Sequence, residues 1–184
     1  MARLWRSYLG VLEHYPWTTQ STTTGVLMGA GDVIAQIAVE KKDSSNYDYK
    51  RSIRFFLFGQ IIAGPLLRGW YLTLDKLYKG NSKRATLLKV LTDQTVFAPS
   101  FLTFFIGTMA VMRKEPVEEV KRKIKRDFMP VLITNYKIWP AVQLVNFYFV
   151  PFQHRILVVN VVALGWNTYL AWKAERQDPE GEVH

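Results

Sequence analysis

Three long apolar stretches of this chain each hold a fixed charge near the middle, and no other feature restricts its fold as tightly. They are Tyr15–Val39 with Asp32, Phe55–Leu74 with Arg68, and Thr86–Met112 with Lys89 and Asp93. Gln36 follows Asp32 one helical turn later, and Gln94 stands beside Asp93. Such a charge at the centre of a membrane span costs roughly 2.5–3.5 kcal/mol on insertion scales unless a partner or a water-filled cavity faces it. An ionisable group at that depth is therefore a candidate functional residue, provided the stretches do cross a membrane.

The distribution of charge argues that they do. A hydrophobic fraction of 49% and a mean hydropathy of −0.01 are ordinary for a soluble protein and decide nothing. Gln94–Met112, however, contains no Asp, Glu, Lys or Arg, and Ile138–Trp172 contains only Arg155. A span needs about 20 mostly apolar residues to cross a hydrocarbon core. The charges collect between the apolar stretches, in Glu40–Arg54, Asp75–Arg84 and Arg113–Asp127. The chain of 184 residues is about one domain long, and we read 1–184 as a single integral membrane domain. The expected fold is all-α: a polytopic helix bundle with about four spans and proline-broken helices. Trp5, Trp17, Trp70, Tyr71, Trp139, Trp166, Tyr169 and Trp172 lie mostly near the ends of apolar runs, where amphipathic rings favour the interface, although a soluble core also uses tryptophan.

The formal charge is +9, but no helix–turn–helix, finger or RNA-binding motif accompanies it. An anionic membrane surface accounts for the excess more simply, so direct nucleic-acid binding is not expected. The absence of cysteine excludes disulfides, thiolate ligands and thiol switching. In 1–15, Leu4, Tyr8, Val11 and Leu12 recur at helical spacing, with Arg3 and Arg6 off that face. We read 1–15 as an interfacial amphipathic helix, the alternative being a weak mitochondrial presequence. The tail 177–184 is expected to be disordered.

Pro16 suits the start of a helix to about Val39, in which Gly25 and Gly29 form a small-residue pair for close helix approach. A second helix runs to about Tyr78, kinked at Gly64-Pro65 just before Arg68. Ser82 is a plausible N-cap for the third, which carries Asp93-Gln94 and then Pro99. The segment 113–127 reads as a separate basic amphipathic surface helix, with Lys121, Arg122, Lys125 and Arg126 as candidates for anionic lipid headgroups or simply a solvated face. Pro140 and Pro151 are expected to cut the last apolar region into short pieces. The basic excess weakly favours loops one and three on the matrix or cytosolic side.

No nucleophile elbow, P-loop or zinc-protease motif occurs, and His14, His154 and His184 lack ligand spacing, so no enzyme activity, cofactor or metal is expected. What remains is a polar interior. The pore-lining or buried ion-pair candidates are Asp32, Gln36, Arg68, Asp93, Gln94, Gln143 and Asn146. Two readings stay open: these groups only hold the bundle together, with Arg68 paired to Asp93 or Asp32, or several line a water-filled path for ions and small solutes.

Ala63-Gly64-Pro65, Gly69-Trp70-Tyr71 and Leu74-Asp75, then Asp93-Gln94 with Phe97-Ala98-Pro99, resemble the signatures of a known family. So do Trp139-Pro140-Ala141, Gln143, Asn146-Phe147, Val150-Pro151 and Arg155, followed by Trp166-Asn167, Tyr169-Leu170 and Trp172-Lys173. This is the Mpv17 / PMP22 family of mitochondrial inner-membrane and peroxisomal membrane proteins, and the likeness is greatest to its Mpv17 branch. The resemblance implies a four-span protein of the mitochondrial inner membrane, with the peroxisomal membrane as alternative location. It also implies a non-selective channel that modulates membrane potential and supports mitochondrial DNA maintenance, against which stands a non-conducting structural or assembly protein. The expected partners are the lipid bilayer and small solutes or ions, with a homo-oligomer left open.

Overall fold

The structure, a computed structural model, describes residues 2–79, 82–149 and 155–176, with side chains described at all of these except 2–6, 9, 144, 146–148 and 155–157. Pro151, His154 and the tail 177–184 lie outside the described residues, and so does the side chain of Trp5. Six helices and no strand make up the described residues: α1 (Ala2–His14), α2 (Pro16–Val39), α3 (49–77), α4 (Lys83–Met112), α5 (Val117–Phe149) and α6 (Arg155–Glu175). The all-α expectation is met. By length and apolarity alone, α2 and α4 qualify as membrane spans.

Local chemistry explains the boundaries. Pro16 opens α2, where a missing N–H costs nothing. The Asp48 carboxylate accepts from the Arg51 backbone N–H at the start of α3, and Ser82 Oγ accepts from Ala85 N at the start of α4. Between α2 and α3 the Asp43 carboxylate gathers the backbone N–H groups of Ser45 and Asn46 into a tight turn.

Two expectations are corrected. The segment 113–127 is no separate surface helix: α5 begins at Val117 and runs through Asp127 to Phe149. Pro140 does not break this helix either, nor does Pro130. Each proline costs about 3 kcal/mol inside a helix. Ending a helix strands several backbone groups, at several kcal/mol each where lipid replaces water, so a continuous helix is the smaller loss in such a setting.

Proline leaves a different mark in α3 and α4. Phe58–Ala63 immediately precedes Gly64-Pro65 and is π-helical, and Asp93–Phe97 immediately precedes Ala98-Pro99 and is π-helical too. Widening the turn gives the proline ring room where the carbonyl of the preceding turn would clash. The last turn of α2, Ala35–Val39, is also π-helical and contains Gln36.

Helix α2 is central, packed along α3 on one side and α6 on the other, while α4 packs on α5. Its glycines permit this. A Cβ on Gly25 would lie 2.9 Å from the Gln60 Cβ of α3, and one on Gly31 would lie 2.7 Å from the Asn167 Cβ of α6. The bundle then divides into two halves along its axis. One half holds the C-terminal ends of α2, α4 and α6, the start of α3 and the first turns of α5. The other holds α1 and the opposite ends of the same helices. Phe55, Phe58, Phe105 and Met109 form the fully buried apolar centre of the first half, with Phe58 and Phe105 edge to face at 5.5 Å.

Candidate functional site

The charges singled out in the sequence separate into these two halves. Asp32 is fully buried and belongs to a closed network at the α2–α3 end. Its Oδ1 faces Arg51 Nε, and its Oδ2 accepts from Gln36 Nε2 at 2.8 Å and Ser52 Oγ at 2.7 Å. Gln36, also fully buried, takes the Asp48 N–H on its Oε1 at 2.9 Å. Arg51 closes the ring with a bidentate pair to Glu40 at 2.8 and 2.7 Å. Burial pushes the Glu40 carboxyl up, but the hydrogen bonds and charge of Arg51 prevail and hold it below the usual carboxylate range.

The same layer continues across the bundle. Glu175 at the end of α6 binds both Arg54 of α3 at 3.0 Å and Arg113 after α4 at 3.2 Å. Asp127 of α5 binds Arg126 at 2.9 Å and Lys173 of α6 at 3.0 Å. Burial raises the Asp127 carboxyl, yet Arg126 and Lys173 together bring it below its ordinary value. Lys123 is different: it is 4% exposed, and among the described residues its Nζ donates only to the Arg176 carbonyl, at 3.4 Å. Burial first, then the neighbouring Arg113, bring its ammonium down to about 8. Of the headgroup candidates, Lys121, Arg122 and Lys125 point outward, the first two paired to Glu118 and Glu119 of their own helix, while Arg126 is paired to Asp127.

The second half holds a partly open cavity of about 610 Å³. Arg68, Asp93, Gln94 and Gln143 line it, and Asp32, Gln36 and Arg51 do not. Met28 and Leu102 lie on its wall. One turn further along their helices, Asp32 and Ile106 are buried and do not. Asn160 and Asn167, two turns apart on one face of α6, add polar groups, and Tyr8 and Leu12 of α1 cover the far end. The Asn146 side chain lies outside the described residues.

Arg68 does not pair with Asp93 or Asp32, contrary to one of the sequence readings. Its Nη1 donates to Gln20 Oε1 at 2.9 Å, and its guanidinium sits 5.1 Å from the centre of the Trp17 ring. Its Nε is buried and has no hydrogen-bond partner among the described residues. Asp93 accepts from the Trp70 indole at 2.9 Å and from Gln94 Nε2 at 2.8 Å, while Gln94 Oε1 accepts from Asn135 at 2.8 Å. The π-turn of α4 is thereby tied to both α3 and α5. Lys89 and Asp75, also on the wall, neutralise each other at 2.7 Å.

Sequence reasoning missed Arg51, Arg54 and Glu175 because they stand in charge-rich segments that look like solvated loops. A signal was there: a buried Asp32–Gln36 turn requires a cation at equal depth, and Arg51 opens the next helix. Trp17 and Gln20, on one face of α2, were likewise missed as partners of Arg68. Of the residues read as interface anchors, Trp166 is buried with only 8% of its surface exposed, and Trp70 is half-buried with its indole donating to Asp93. No group of His, Asp and Glu among the described residues could hold a metal ion.

A profile described as the Mpv17 / PMP22 family matches residues 110–171. The mitochondrial inner membrane protein Mpv17 of Danio rerio is 45% identical over 176 residues, covering 96% of this chain and 99% of its own. The human protein of that name is 42% identical over 173 residues, covering 94% and 98%. Protein SYM1 of Saccharomyces cerevisiae is 40% identical over 177 residues, covering 93% and 90%. No solved structure matches the chain.

Proposed function

The chain belongs to the Mpv17 / PMP22 family, and from that premise we propose that it is a channel for ions and small solutes, with the polar cavity as its vestibule. It is a mitochondrial inner-membrane protein. The observation that carries the channel reading is that Arg68, Asp93, Gln94 and Gln143, from three different helices, line one cavity. Charges that served only to join helices would be expected to neutralise one another, and Arg68, though bonded to Gln20, meets no carboxylate among the described residues. The buried ion layer and the phenylalanines beneath it close the other end, so this arrangement is the shut one, and conduction requires that layer to part. Influence on membrane potential, and through it on mitochondrial DNA maintenance, would follow from what the channel passes. The exposed Lys121, Arg122 and Lys125 sit at anionic headgroups in this reading, while Arg126 is turned inward to Asp127.

The same closed layer favours a second reading, a non-conducting structural or assembly protein. Planar-bilayer recording of the purified protein separates the two. The channel reading expects conductance, and a changed ion selectivity in Arg68→Ala and Asp93→Asn. Absence of conductance from intact protein, or unchanged selectivity in both variants, contradicts it.

A further inference from the structure

We propose that the cavity is a binding site for an organic monoanion, whose carboxylate or phosphate seats on Arg68 and whose apolar body lies along the cavity wall. The proposal rests on reading this cavity as the chamber that accepts solute.

The first observation is the state of Arg68. Arg51, Arg54 and Arg113 each meet a carboxylate within ion-pair distance, so this fold does neutralise the arginines it buries. Arg68 meets none among the described residues, and that alone sets it apart, since Arg54 and Arg113 also keep a buried Nε without an acceptor. Its neighbours hold it in place without neutralising it. The Gln20 carbonyl fixes one Nη, and the Trp17 ring supports one face of the guanidinium plane. A planar cation so fixed presents its remaining N–H groups to an oxyanion.

The second observation is the rest of the wall. Leu27, Leu67, Phe101, Val159 and Ala163 make most of it apolar, and a cavity of about 610 Å³ is of small-ligand size. An inorganic anion alone would leave those side chains facing empty space or poorly bound water. The third observation sets the charge. Lys89 is already neutralised by Asp75, and Asp93 is a second acid on the wall. Arg68 is thus the one wall cation without a carboxylate among the described residues. A second negative charge on the ligand finds no counterpart and meets Asp93. The site therefore favours one charge over two or three.

The anion could arrive from water, as a short-chain acid, or from the bilayer, as a lipid carrying a single phosphate or carboxylate. The shared chemistry is an oxyanion on an apolar body. The test uses full-length protein in nanodiscs of neutral lipid, titrated calorimetrically with octanoate, with inorganic phosphate and with citrate. Mass spectrometry of the purified protein reports any anionic lipid retained from the membrane. We expect octanoate to bind more tightly than phosphate or citrate, with about tenfold loss in Arg68→Gln and partial recovery in Arg68→Lys. A retained anionic lipid that is lost in Arg68→Gln assigns the bilayer as the source. Its absence, with octanoate bound, assigns the aqueous phase. Equal octanoate binding by the parent protein and Arg68→Gln, both folded by circular dichroism, overturns the proposal. So does the absence of both octanoate binding and retained lipid. Conductance is recorded on the same preparations: a protein that conducts but binds no monoanion refutes this inference alone. One that binds without conducting refutes the channel.

Discussion

Arg51 and Arg68 lie on the same helix, α3, and their surroundings could hardly differ more. Arg51 is 3% exposed and meets two carboxylates, Asp32 and Glu40. Arg68 borders a cavity and meets an amide oxygen and an indole. Arg51 belongs to a layer in which α2, α3, the end of α4, α5 and α6 are clamped by paired charges, Lys123 being a buried cation there that meets no carboxylate among the described residues. Arg68 belongs to a half of the bundle where the wall charges are only partly satisfied by one another. A buried pair loses heavily when one partner is removed, because the other charge stays behind unpaired. An unpaired charge beside a cavity loses little stability when removed, but the field in the cavity changes. One half of the molecule therefore holds the fold, and the other is available for solute.

Removing the carboxylate of Asp32 is the harshest way to break this contrast. Asp32→Ala is expected to cost about 3–5 kcal/mol, since Arg51 would remain buried without one of its two partners. Thermal unfolding in detergent reads this directly, and a parental melting temperature would show that the layer is not structural. Gly25→Val probes the α2–α3 approach. Its Cβ would press on the Gln60 Cβ and the Phe56 carbonyl at 2.9 Å, with an expected loss of about 1–3 kcal/mol. Gly69→Ala, with nothing within 4 Å of the new Cβ, should melt no lower than the parent, since alanine is favoured over glycine inside a helix.

A pH series sharpens the comparison further. Lys123 is held at about 8 against an ordinary 10.5, so between those values the unfolded chain carries more protons than the folded one. Stability then rises as pH climbs through that window, because the cost of a buried ammonium disappears. The melting temperature should increase from pH 7 to pH 9, by a gain on the order of 1 kcal/mol, and Lys123→Met should flatten the rise. A falling profile that the Lys123→Met variant shares would place the controlling group elsewhere. Arg68→Ala is expected to have the smallest effect on stability, below about 1 kcal/mol, while the reversal potential in a salt gradient moves. A large stability loss with an unmoved potential would put Arg68 among the structural charges.

The helices and their prolines were legible in the sequence because apolar runs, caps and breakers are local signals. That Pro65 and Pro99 each follow a π-helical turn was not, since the widening depends on what the freed backbone packs against. Continuity of α5 through Pro140 was misread for a related reason: local cost was visible, and the larger cost of interrupting the helix was not. The candidate charges were found, but their division was hidden. Asp32 and Arg68 look alike in sequence, each a charge in an apolar run. Only the partners distinguish them, and Arg51, Glu40, Trp17 and Gln20 are brought to them by tertiary packing.

The absence of cysteine allows the division to be tested one position at a time. Gln143→Cys places a thiol on the cavity wall, and Ala35→Cys places one in the fully buried layer beside Gln36. Reconstituted protein is exposed to a charged, membrane-impermeant methanethiosulfonate reagent and the labelled fraction is measured. The account predicts rapid labelling of Gln143→Cys and little or none of Ala35→Cys in folded protein. Equal protection of both positions would show that no water reaches the cavity, and the separation into a structural half and a solute-accepting half would fail.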